Sequence, residues 1–79
     1  MSKQVVVYSA DGCVECSYVK QMLKDEGISF EVRDVLKNRE YQKEVEKYGF
    51  MGIPVTVYED RAIKGFNPEL KEIVEMVKD

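Results

Sequence analysis

The chain has 79 residues, 44% hydrophobic and 34% charged, with a net charge of only -3. That length suits one small domain over residues 1–79, near the lower limit at which a single core sustains a fold without disulfides or metals. Its lysines and arginines are scattered among acids and no run approaches the ~18 apolar residues of a membrane span, so neither nucleic acid nor membrane is an expected partner.

Gln4 to Tyr8 is a continuous β-branched run, as expected for a strand buried on both faces of a parallel or mixed sheet. Ser9-Ala10-Asp11-Gly12 is a loop. From Val14 the spacing turns helical, with Val19, Met22 and Leu23 on one face and Gly27 as the stop. Ile28 to Asp34 alternates, which predicts a second strand with Ile28, Phe30 and Val32 facing inward. Asn38 caps a second helix through Tyr41, Val45 and Tyr48, stopped by Gly49, and its remaining charged faces are expected to be solvated. Phe50-Met51-Gly52-Ile53 leads through Pro54 into a third strand, Val55 to Tyr58, and a turn at Glu59-Asp60-Arg61. Ala62-Ile63-Lys64 forms a short fourth strand. Gly65-Phe66 turns the chain, and Asn67-Pro68-Glu69 opens a last helix whose buried stripe is Leu70, Ile73, Val74 and Val77. The order β-α-β-α-β-β-α predicts an α/β thioredoxin fold with a four-stranded mixed sheet and three helices.

Cys13-Val14-Glu15-Cys16 stands where the first strand gives way to the first helix. Residues three apart on a helix have Cβ atoms roughly 5–6 Å apart, and a disulfide needs about 3.5–4.5 Å. A small adjustment at a helix end closes that gap, so one backbone accommodates both redox states. Cys13, at or just before the first turn, is favoured as a thiolate by free N–H groups and the helix dipole, so it is the expected nucleophile. Cys16, one turn in, is the expected resolving thiol. Val14, Met51, Ile53 and Phe66 are candidates for an apolar docking rim, with Ile53 and Phe66 alternatively plugging the core. Tyr8 fits a strand-end core residue better than a catalytic acid. Asp11, Glu15 and Lys20 lie close enough in sequence to tune the thiols or the choice of partner.

Metal binding is the competing chemistry. With no histidine and no third cysteine, a zinc site would need a second chain. Two thiolates also suit Cu(I), but Asp11 stands where copper-carrying domains of this spacing place a methionine.

The chain resembles the glutaredoxin-like family, and within it the NrdH-redoxins, over essentially its full length. The resemblance is carried by Tyr8-Ser9, by Cys13-Val14-Glu15-Cys16, by Gly52-Ile53-Pro54-Val55 and by Gly65-Phe66-Asn67-Pro68-Glu69. Glutaredoxins usually carry Gly-Gly, a small residue and two aspartates in the last segment, the first aspartate helping to hold glutathione. Phe66-Asn67-Pro68 instead resembles the Gly-Phe-Arg-Pro of NrdH-redoxins, with Asn67 for the arginine and Ile63-Lys64 for the Trp-Ser that typically precedes it. Ala10 stands where glutaredoxins commonly have lysine. The same missing glutathione anchor counts against an iron–sulfur cluster shared between two chains.

The resemblance implies a redox-active disulfide between Cys13 and Cys16, a cis proline at Pro54 facing the thiols, and partner contacts at Gly12, Val14, Met51, Ile53, Pro54, Gly65 and Phe66. It further implies a protein-disulfide reductant without a cofactor, recharged by thioredoxin reductase and passing electrons to the ribonucleotide reductase large subunit or another disulfide protein. A glutathione-dependent glutaredoxin is the alternative. A monomer is expected, and the Met1-Ser2-Lys3-Gln4 start, which lacks the pattern of a signal peptide, leads to the expectation of a cytoplasmic protein.

Overall fold

The computed structural model of the protein describes residues 4–78. Its elements are β1 (Val5–Ser9), α1 (Val14–Asp25), β2 (Phe30–Asp34), α2 (Arg39–Lys47), β3 (Val55–Tyr58), β4 (Arg61–Lys64) and α3 (Leu70–Lys78), the order expected from the sequence. The strands form a mixed sheet in the order β2-β1-β3-β4, with β2 parallel to β1 and β3 antiparallel to both β1 and β4. This is the thioredoxin fold, with its four-stranded mixed sheet, that the element order predicts. Among the described residues no helix is long and apolar enough to cross a membrane.

The unbroken apolar run in β1 reflects a strand sandwiched between two cores. Val5 and Val7 pack with Val19 and Leu23 of α1, Ile63 of β4, and Leu70, Ile73 and Val74 of α3. Tyr8 belongs to the opposite face, with Val35, Val45 of α2, Val55 and Val57. Successive residues of a strand point to opposite faces, so a central strand in a three-layer domain needs apolar residues at both parities.

Local chemistry sets the helix ends. Asn38 Oδ1 accepts from the Glu40 amide at 2.9 Å and caps α2. Both α1 and α2 end in a Schellman motif. The Gly27 amide donates to Lys24 O and the Ile28 amide to Leu23 O, while Gly49 and Phe50 donate to Glu46 O and Val45 O. Gly27 and Gly49 have φ of +74° and +88°, the left-handed conformation the motif requires. Ahead of α3, Asn67 Oδ1 accepts from the Glu69 amide at 2.8 Å. The regular helix begins only at Leu70, three residues after the expected cap, because residues 67–69 form the capping turn itself.

Two expectations need correction. Val32 does not face a core: it is 46% exposed. β2 is an edge strand, paired only with β1. The strand also starts at Phe30, with Ile28 buried in the connection before it.

The second correction concerns the charged faces of α2, which are not all solvated. Glu44 Oε1 accepts from the Tyr8 hydroxyl at 2.6 Å and from Arg33 Nη1 at 2.7 Å. Arg33 also pairs with Glu31 and lies over the Tyr8 and Tyr41 rings, with its guanidinium carbon 5.8 and 5.5 Å from their centroids. The Tyr8 hydroxyl and then Arg33 hold the Glu44 carboxyl below its ordinary range, against the opposing effect of desolvation. The Tyr8 phenol is pushed up to about 12, chiefly by burial and then by Glu44, so it remains a donor at neutral and acid pH.

A depressed folded-state pKa contributes stability that is present above the unfolded carboxylate value of about 4.3 and is lost as pH falls through the folded value. The thermal midpoint is therefore expected to fall more steeply below about pH 5 in the native protein than in Glu44→Gln. The two curves should converge at low pH; parallel curves measured by circular dichroism melts would remove Glu44 as a source of acid sensitivity.

Candidate functional site

The strand register brings three loops to one edge of the sheet. Tyr8, one residue before the end of β1, pairs with Val55 at the start of β3, and Val55 pairs with Lys64 at the end of β4. The loop after β1, the segment entering β3 and the segment leaving β4 therefore meet. They carry Gly12 and Cys13, then Met51 to Pro54, then Gly65 and Phe66, with Cys16 one turn into α1.

Cys13 is the N-cap of α1, in extended conformation at φ -86° and ψ 110°. Its amide donates to Ala10 O at 3.3 Å, closing the turn that contains Gly12. Its Sγ accepts from the Cys16 amide at 3.2 Å. A cap usually uses a hydroxyl or carboxylate oxygen; here sulfur takes that place. A thiolate at the same position would meet the positive end of the helix dipole, the environment that lowers a cysteine pKa.

The two cysteines are joined as a disulfide with Cα atoms 5.2 Å apart. Cys13 is half-buried and Cys16 is fully buried. The pair is thus asymmetric, one sulfur reachable from solvent and the other behind it. Beside Cys13 lies an open hollow of about 300 Å³ bordered by Asp11, Val14, Ser17 and Lys20.

The Ile53–Pro54 peptide bond is cis. Pro54 is buried, and its carbonyl accepts from the Gly65 amide at 2.7 Å, tying the segment before β3 to the segment after β4. Ile53 is half-buried and packs against the core beneath α2. Met51, by contrast, is 92% exposed, with Val14 and Phe66 also exposed. Phe66 does not plug either core. Its ring lies against Tyr18 at 5.6 Å between centroids.

Tyr18 is a member of this surface that the sequence reading passed over. It stands four residues after Val14 and so shares its side of α1, off the buried stripe of Val19 and Leu23. An aromatic residue outside the buried stripe was the available signal. Tyr18, Met22 and Phe66 border a shallow hollow of about 470 Å³. The Tyr8 hydroxyl is engaged with Glu44 and Arg33, consistent with a strand-end core residue. No group of three or more metal-binding side chains occurs among the described residues.

Known proteins resemble this chain in sequence and in fold. The glutaredoxin family model matches residues 5–63. The glutaredoxin-like protein NrdH of Lactococcus lactis (strain IL1403) is 34% identical over 64 residues, which cover 81% of this chain and 89% of that protein. The solved structure of NrdH-redoxin from Escherichia coli superposes with a TM-score of 0.81 at 26% identity, covering 89% of this chain and 92% of that one. A glutaredoxin from Archaeoglobus fulgidus superposes at 0.74 with 29% identity, covering 98% and 88%. Sequence, fold and the Cys-x-x-Cys pair at the start of α1 agree: the chain belongs to the glutaredoxin family and is an NrdH-like redox protein.

Proposed function

We propose that the chain is a dithiol–disulfide oxidoreductase that reduces protein disulfides and is recharged by thioredoxin reductase rather than by glutathione. The observation that carries this reading is the chemistry of residues 65–68. In glutaredoxins this segment helps to anchor glutathione. Here Asn67 is occupied internally, its Oδ1 accepting from the Glu69 amide and its Nδ2 donating to Lys64 O at 2.8 Å. Phe66 offers an aromatic face backed by Tyr18. Such a surface suits a protein partner better than the charged ends of a tripeptide. The similar NrdH-redoxin of Escherichia coli is described as having a thioredoxin-like activity profile.

The reaction begins with Cys13 as thiolate. Its Sγ attacks one sulfur of the substrate disulfide, forming a mixed disulfide and expelling the other substrate sulfur, which takes up a proton. Cys16 then loses its proton and attacks Cys13 Sγ. The Cys13–Cys16 disulfide forms, the second substrate sulfur leaves and is protonated, and two electrons have passed to the substrate. Burial of Cys16 behind Cys13 supports this division of labour. A two-electron donor then returns the pair to the dithiol. The acceptor implied by the NrdH-redoxin resemblance is the ribonucleotide reductase large subunit or another disulfide protein.

Oxidised protein mixed with NADPH and thioredoxin reductase is expected to consume NADPH rapidly. The parallel mixture with NADPH, glutathione and glutathione reductase should turn over at least about tenfold more slowly, a difference of ~1.4 kcal/mol in barrier. The reverse order would make the chain a glutathione-dependent glutaredoxin.

A further inference from the structure

We propose that Lys64 selects among disulfide substrates, favouring a peptide with a carboxylate side chain within two residues of the attacked cysteine. This rests on the oxidoreductase reading above and gives it a substrate preference. Lys64 ends β4 beside the start of β3, and its side chain turns back over Gly52. A Cβ at Gly52 would lie 3.3 Å from Lys64 Cε and 3.8 Å from Nζ. The ammonium thus sits above the backbone that leads into Ile53 and Pro54, the stretch against which an extended substrate would pair. Glycine at position 52 leaves the space that the lysine stem occupies.

Lys64 is exposed and makes no ion pair among the described residues, whereas Lys78 is paired with Glu26 and Arg61 with Glu72. The other charges at this edge are distributed differently. Asp11 and Lys20 border the hollow beside Cys13, and Glu15 stands in the first turn of α1, so acids outnumber the lysine at that helix start. A carboxylate on the substrate is repelled there and drawn toward Lys64. An extended substrate advances about 3.3 Å per residue, so the preference is assigned to side chains one or two positions from the attacked cysteine. The preference is modest because the pair is exposed, and it weakens with salt.

The test uses disulfide-bridged peptides identical except for Glu, Gln or Lys, placed within two residues before one cysteine in one set and after it in another. The reduced protein is mixed with each, and the second-order rate of Cys13–Cys16 oxidation is measured at low salt. In at least one set the order should be Glu, Gln, Lys, with about a threefold step between neighbours. That ranking should disappear in Lys64→Gln, reverse in Lys64→Glu, and persist in Lys20→Gln. Equal rates for all peptides in both sets, or a ranking unchanged in Lys64→Gln, would overturn the proposal and leave the oxidoreductase reading standing. Failure to reduce any peptide would overturn both.

Discussion

Cys13→Ser is expected to abolish disulfide reduction, lowering turnover by about a thousandfold or more. Only a thiolate is nucleophilic enough to open the substrate disulfide at neutral pH, and a serine hydroxyl capping α1 in its place has no comparable reactivity. Cys16→Ser behaves differently. The buried sulfur is lost, but Cys13 remains half-exposed at the helix start, so the first exchange proceeds and the second cannot. A one-to-one adduct between Cys13 and the substrate should accumulate, visible by intact mass and released by dithiothreitol. Each variant checks the other, because reversed roles would trap the adduct in Cys13→Ser and leave Cys16→Ser inert. Retained turnover in Cys13→Ser would eliminate Cys13 as the nucleophile.

What the sequence could show about this site follows from how local each feature is. Cys13 at the helix start, Asn38 as cap, and Gly27 and Gly49 as stops are decided by atoms within five residues of one another, so local sequence predicts them. The element order follows for the same reason. Val32 fails because its own strand alternates as it should; its exposure is decided by β2 lying at the sheet edge, a fact of strand order and not of strand pattern. The contact of Tyr18 with Phe66 and that of Tyr8 and Arg33 with Glu44 join residues from separate elements. Each looks solvated or merely apolar until the sheet brings the elements together. Sequence therefore locates the reacting atoms, while the surface around them depends on tertiary register.

Leu23→Ala carries the second large expected effect, on stability, and it separates core from the proposed docking surface when set beside Phe66→Ala. Leu23 is fully buried among Val5, Val7, Val19 and Ile73. Removing its isobutyl group leaves a cavity between α1 and the sheet and costs about 2–5 kcal/mol. A domain of this size has only about 4–12 kcal/mol in total, so the melting temperature should fall by on the order of 10–30 °C. Phe66 is 47% exposed, and its ring touches Tyr18 on the surface. Phe66→Ala should cost about 1 kcal/mol or less, yet slow reduction of protein disulfides more than reduction of a small soluble disulfide. Thermal denaturation and paired rate measurements check both variants. Equal losses of stability would mean that Phe66 acts as a core plug despite its exposure.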